Sequence, residues 1–141
     1  MNDKGVTVTP KFSVIIPAYN AEKFIHIAIQ SVREQTIDDW ELIIVENGST
    51  DNTTAVCENF LNDKRIKLFH SEKGVSSARN KGISVALGTW IVFLDADDQL
   101  LNDALRRYME IDKEYAPDLM IGEYEDKTVD YTYEKKTLSG Q

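Results

Sequence analysis

The chain has 141 residues, a mass of 16.0 kDa and a net charge of −8 from 16 basic and 24 acidic side chains. That length suits one domain with a real core, and 38 Leu, Ile, Val and Phe residues lift it above the composition of disordered chains. An acidic balance without a basic cluster argues against a general nucleic-acid binder, the lone Cys57 excludes an internal disulfide or cysteine-rich zinc site, and no apolar run nears the ~18 residues of a membrane span.

The residues after Met1 lack a signal-peptide core, so the expected location is cytoplasmic. Phe12 to Pro17 (FSVIIP) is almost wholly apolar and predicts a strand buried on both faces of a parallel sheet. From Ala21 to Gln35, Ile25, Ala28, Ile29 and Val32 recur at helical spacing. Glu41 to Val45 (ELIIV) predicts a second buried strand. Gly48 to Asp51 then forms a turn with several possible N-caps, and a helix follows through Val56 and Phe60. Arg65 to His70 alternates like a strand with a more exposed face. Val75 to Leu87 predicts a helix capped by Ser76 or Ser77, with Gly88 at the C′ position. Trp90 to Leu94 (WIVFL) is a fourth strand running straight into Asp95-Ala96-Asp97-Asp98. Asn102 to Tyr115 predicts a helix and Asp118 to Tyr124 a last strand.

This alternation predicts an α/β, Rossmann-like, doubly wound, mainly parallel sheet with right-handed crossovers. The domain is expected to span residues 1–126, leaving 127–141 as an edge strand around Tyr131 and Tyr133 or a frayed tail. Ligands of such sheets bind at the carboxyl ends of the strands. Those ends carry Pro17-Ala18-Tyr19-Asn20, Glu46-Asn47-Gly48-Ser49, the loop from His70 to Ser76, and Asp95 to Asp98.

Asp95, Asp97 and Asp98 repel one another if they converge, and a hard divalent cation such as Mg²⁺ or Mn²⁺ would relieve that repulsion. A competing reading makes Asp97 or Asp98 the cap of the next helix, and both can hold. Glu46 to Asp51 suits an anion or a nucleobase edge, although in isolation it reads as ordinary turn chemistry. Tyr19 offers a stacking face or a packing contact. Lys73 and Arg79 are cations placed to meet a diphosphate or water. His70 ends a strand on the ligand edge, whereas His26 and Cys57 read as packed side chains.

Five ordered segments carry a resemblance: Ser13 to Asn20, Ser31 to Thr36, Glu41 to Asp51, Gly74 to Asn80, and Phe93 to Asp98. Together they resemble the nucleotide-sugar-binding half of inverting family 2 glycosyltransferases with the GT-A fold, over about Lys11 to Glu125. The resemblance implies transfer of a hexosyl-type sugar from a nucleotide-diphosphate sugar, UDP-linked by expectation, to a saccharide or other acceptor in cell-surface polysaccharide synthesis. It implies that Tyr19 stacks on the base, that Pro17 and Ala18 contact it through the backbone, and that Asn47 stands where the family usually has a base-binding aspartate. Glu46 replaces the acid commonly found just before that position. Arg79 matches the arginine of the Ala-Arg-Asn segment at the donor site. Asp95, Ala96 and Asp97 match the DxD motif, which touches the ribose and binds the metal; in some members the working pair aligns with Asp97 and Asp98.

The same resemblance places the acceptor site and catalytic base downstream of the DxD motif, where 44 residues follow Asp97. The expectation is therefore a donor-binding half without its acceptor half, inactive alone, with any membrane attachment supplied by the missing part. The alternative is a nucleotide-binding module without transferase activity. A dinucleotide-binding dehydrogenase is disfavoured because no G-x-G-x-x-G follows the first strand, and a P-loop enzyme because no G-x-x-x-x-G-K-[ST] occurs.

Overall fold

A computed structural model describes residues 9–120. In chain order the elements are β1 (Phe12–Ala18), α1 (Ile25–Arg33), β2 (Trp40–Glu46), α2 (Thr53–Glu58), β3 (Ile66–His70), α3 (Val75–Val85), β4 (Trp90–Phe93) and α4 (Ala104–Tyr115). The chain divides into two compact units, Met1–Arg106 and Arg107–Gln141, with the cut inside α4.

The four strands form one all-parallel sheet in the order β3-β2-β1-β4. β1 runs beside β2 from Phe12 opposite Trp40 to Ala18 opposite Glu46, and beside β4 from Phe12 opposite Trp90 to Ile15 opposite Phe93. Strand order grows outward from β1 to β3 and then reverses to β4, which creates a switch point between β1 and β4. Pro17 sits just there. Ile15 accepts from the Leu94 N–H on the β4 side and Ala18 from the Asn47 N–H on the β2 side, so Pro17 turns its donorless nitrogen toward β4, beyond that strand's last residue. The chain thus opens a crevice at no cost in unpaired donors.

The predicted all-apolar strands are buried as expected: every residue of β2 is buried, and in β1 all but Pro17. Ile15, Ile43 and Val45 face α3 through Ala78, with Phe69, Val85 and Ala86 at the margin. Right-handed crossovers place α1 and α2 on the other face. α3 approaches closely because Gly82 has no side chain: a Cβ there would lie 2.6 Å from Ile15 Cγ2.

Several element ends differ from the sequence expectation. α1 begins at Ile25 and not at Ala21, because the N–H groups of Ala21 and Glu22 donate to Thr53 Oγ1 (2.8 Å) and Asp51 Oδ2 (3.3 Å) across the neighbouring turn. α2 stops at Glu58, and Phe60 and Leu61 close with tighter bonds to the carbonyls of Cys57 and Glu58. α3 starts at Val75 with Gly74, not Ser76 or Ser77, at its N-cap. Gly88 is not a C′ residue, since α3 ends at Val85 with Ala86 as cap. Glycine is needed at 88 for close approach: a Cβ would stand 2.6 Å from the Ser13 nitrogen. Nor does Asp97 or Asp98 cap a helix, because α4 begins only at Ala104. Within the second unit α4 ends at Tyr115, where Ala116, at φ 43°, donates to the Asp112 carbonyl (2.8 Å). Residues 118–120 are not a strand, and the remainder of that expected strand, like the tail 127–141, lies outside the described residues.

Two buried polar clusters hold the frame. Glu41 Oε1 accepts from the Ser13 hydroxyl (3.2 Å) and the Leu87 N–H (3.2 Å), Ser13 Oγ accepts from the Gly88 N–H (2.7 Å), and Lys67 Nζ stands 3.7 Å from Glu41 Oε2. Glu41→Ala removes the buried acceptor of the Ser13 hydroxyl and is expected to cost about 1–3 kcal/mol, read as a lower urea midpoint at unchanged slope. A midpoint equal to that of the parent chain would show the cluster to be dispensable. The second cluster clamps the segment after the acids to α1. Gln35 Nε2 donates to the Ser31 (3.0 Å) and Leu101 (2.7 Å) carbonyls, Gln35 Oε1 accepts from the Leu105 N–H (3.0 Å), and Ser31 Oγ accepts from the Leu100 N–H (3.0 Å).

Candidate functional site

The carboxyl ends of the strands carry the polar side chains expected there. The β1–α1 and β2–α2 turns are laced together. Asn20, at φ 45°, donates its N–H to Ser49 Oγ (3.0 Å), and its Oδ1 accepts from the Thr50 N–H (2.8 Å). Asp51 Oδ1 accepts from the Thr53 N–H (2.9 Å) and from the Thr53 hydroxyl. The Thr53 hydroxyl holds the Asp51 carboxyl below its ordinary value, against the opposing effect of burial. Ser49, Thr50 and Asp51 therefore build the shelf on which the first turn rests.

Glu46 takes a similar role. Its carboxylate is 6% exposed, accepts from the Ser49 N–H, and lies 3.2 Å from His70 Nδ1. Burial pushes this carboxyl up, but hydrogen bonds from Ser49, His70 and Gly48 outweigh it and hold the group below its ordinary value. Both carboxyls are thus more acidic folded than unfolded. Their stabilisation is complete above the ordinary values of 4.5 for Glu46 and 3.8 for Asp51 and is lost as pH falls below them. Urea midpoints across that range are expected to drop with acid, and Glu46→Gln is expected to flatten the upper part of the drop. A profile that the variant leaves unchanged would remove Glu46 from this account.

Beside the shelf, Tyr19, Asn47, Lys73, Gly74 and Val75 line an open cleft of about 180 Å³. Tyr19 is 42% exposed and presents its ring, with Lys73 Nζ 5.5 Å from the ring centroid. Asn47 is 2% exposed; its N–H donates to the Ala18 carbonyl (3.0 Å), and its Oδ1 is buried without a hydrogen-bond partner. Asn47 thus lines the cleft with a buried acceptor that lacks a protein partner. Gly74, at φ 126°, brings the loop over the cleft and into α3, a conformation that disfavours any side chain there.

Across the switch point, carboxylate oxygens of Asp95, Asp97 and Asp98 all lie within 4.8 Å of one another. The Asp98 N–H donates to the Asp95 carbonyl (3.0 Å), and this turn draws the acids together. Arg79 Nη2 stands 3.8 Å from Asp95 Oδ1, and its guanidinium lies 5.8 Å from the Phe93 ring centroid. Three exposed or half-exposed carboxylates with oxygen-only donors fit Mg²⁺ or Mn²⁺ and suit neither zinc nor copper.

The fold therefore gathers Tyr19, Asn47 and Lys73 at one cleft, and Arg79 with the three acids at another point of the same edge. The cleft wall holds neither Pro17, Ala18 nor Glu46, and Ala96 is the half-exposed spacer between two acids. Sequence reasoning missed the cleft roles of Gly74 and Val75 and the clamp from Gln35 and Ser31. A glycine between Lys73 and Val75 and a glutamine just past a helix end were the signals available.

A four-strand parallel sheet with a switch-point crevice and a convergent acidic turn at its ligand edge make this an α/β domain of the GT-A type. The family model for glycosyl transferase family 2 matches residues 13–139, and the chain belongs to that family. Glycosyltransferase GlyG of Streptococcus pneumoniae is 35% identical over 115 residues, which cover 79% of this chain and 38% of GlyG. The S. aureus TarS structure with UDP-GlcNAc superposes with a TM-score of 0.72 at 31% identity, over 75% of this chain and 32% of that one. Mannosyltransferase PcManGT from Pyrobaculum calidifontis, in complex with GDP-Man and Mn²⁺, gives 0.66 at 25% identity over 74% and 32%. The chain thus spans about a third of the length of these three proteins. Among the described residues no helix is long and apolar enough to cross a membrane.

Proposed function

We propose that this chain is the donor-binding part of an inverting glycosyltransferase that takes its sugar from a nucleotide-diphosphate donor, a UDP-sugar, and passes it to a saccharide in cell-surface polysaccharide synthesis. The observation that carries the reading is the buried, unpartnered Asn47 Oδ1 in a cleft walled by Tyr19, on the same sheet edge as the three acids. A base stacked on Tyr19 brings an N–H to Asn47, and stacking of this kind contributes about 1–3 kcal/mol per base. The sugar diphosphate then runs along the edge toward Arg79 and the acids.

A diphosphate approaching an acidic chain with three converging carboxylates needs a counter-charge. Asp95, Asp97 and Asp98 would hold the divalent ion, with Arg79 beside them. When bound, that ion supplies Lewis-acid compensation for the negative charge that grows on the departing diphosphate. In the full reaction a base on the acceptor side removes a hydroxyl proton, and the oxygen attacks the anomeric carbon opposite the departing diphosphate. Isothermal titration with UDP tests the reading. Binding is expected in the presence of Mn²⁺ and should weaken markedly in EDTA, and Tyr19→Ala should weaken it roughly fivefold to a hundredfold by loss of the stack. Absence of any UDP binding with the ion present would overturn it. The second reading, a nucleotide-binding module without transfer, shares every one of these side chains and differs only in turnover.

A further inference from the structure

The last residues of three strands stand in one row across the sheet: Ala18 of β1 is in register with Glu46 of β2, and Glu46 with His70 of β3. The cleft side chains follow closely on this row, Tyr19 after Ala18, Asn47 after Glu46, and Lys73 three positions after His70. We infer that His70 is a positioning residue for the nucleotide cleft, acting through Glu46 to hold the Asn47 turn and the Lys73 loop in one arrangement. The inference rests on the reading of the Tyr19 cleft as the nucleobase site.

A continuous string of hydrogen bonds carries the effect. His70 Nδ1 lies 3.2 Å from Glu46 Oε2, and Glu46 Oε1 accepts from the Ser49 N–H. Ser49 Oγ in turn accepts from the Asn20 N–H (3.0 Å). The string thus runs from the end of β3 through the turn after β2 to Asn20, the chain neighbour of Tyr19. Its centre is a buried carboxylate, where an acceptor stripped of its donor is costly. Burial raises the Glu46 carboxyl, its hydrogen bonds outweigh that, and the group is ionised at neutral pH. An ionised carboxylate has acceptors only, so Nδ1 of His70 carries the hydrogen. The two carboxylate oxygens face different donors, so the His70 bond fixes the rotation that presents Oε1 to Ser49. The His70 side chain itself is 63% exposed and lies outside the cleft wall. Its influence on the cleft therefore passes through Glu46.

Titration of UDP with Mn²⁺ into the parent chain, His70→Ala and His70→Asn, beside the urea midpoints of all three, tests the inference. The amide nitrogen of an Asn is two bonds from Cβ, as Nδ1 is, so His70→Asn keeps a donor for Glu46 and discards the Nε2 side of the ring. Because the side chain is largely in solvent, neither substitution removes core packing. His70→Ala is expected to weaken UDP binding roughly threefold to tenfold, the scale on which residues that touch no ligand shift affinity through a network. His70→Asn is expected to restore it to within about twofold of the parent chain. An affinity for UDP unchanged in His70→Ala, with or without a lower midpoint, would overturn the inference while leaving the nucleotide site in place. A loss as large in His70→Asn as in His70→Ala would assign the ring to direct contact with the ligand and overturn it too. Failure of UDP to bind the parent chain would overturn the underlying site instead.

Discussion

Asp97→Ala is expected to remove most of the metal dependence of UDP binding, leaving in Mn²⁺ an affinity close to that seen in EDTA. Three carboxylates drawn within 4.8 Å form the cluster, and Arg79 reaches Asp95 at 3.8 Å. Asp97 thus stands two positions from a guanidinium-paired acid, on an exposed turn where a cation can reach it. Loss of residues that merely orient metal ligands costs about 10–100-fold in metal affinity, so removal of a direct ligand is expected to cost at least that much. Asp95→Ala should cost a substantial part, less than Asp97→Ala, because Arg79 already shares that carboxylate. Titrations of UDP with Mn²⁺ and with EDTA read both variants. An affinity of the parent chain that is equal with and without metal would end the assignment of the acids to an ion.

The parallel sheet was legible because β1 and β2 are buried on both faces, and a strand with no solvent side must be apolar at nearly every position. Helix ends were not, because they depend on bonds between turns distant in sequence. Ala21 looks helical from its neighbours, yet its N–H belongs to Thr53, 32 residues on. Gly88 carries the mark of a helix cap, but a backbone 75 residues away sets its identity. Glu41 reads as a polar intrusion in an apolar strand, and only the fold reveals it as a buried anchor for Ser13 and Leu87. At the site the same distinction holds. Strand ends announced Tyr19, Asn47, Lys73 and the acids. The sequence paired Glu46 with Asn47 as equals, whereas strand alternation and the Ser49 and His70 contacts turn one inward and leave the other at the cleft.

The chain as it stands is expected to bind nucleotide diphosphates and to transfer no sugar to an added saccharide. Transfer with inversion needs an acceptor held in line with the anomeric carbon and a base for its proton. Alignment of two reactants supplies an effective molarity of about 10⁵ M or more, and a placed base contributes about 10²–10⁴-fold. Among the described residues, five carboxylates on the ligand edge already have other work. Glu46 is tied to Ser49 and His70, Asp51 to Thr53, and Asp95, Asp97 and Asp98 form the candidate ion site. The chain covers 38% of GlyG and 32% of the TarS chain. Without both factors, transfer would fall below detection even with the donor bound. UDP release from UDP-GlcNAc, measured with and without a soluble saccharide, is the direct assay. Release should stay at the same slow background in both cases, and a saccharide-dependent rate clearly above it would show that this chain holds an acceptor and a base of its own.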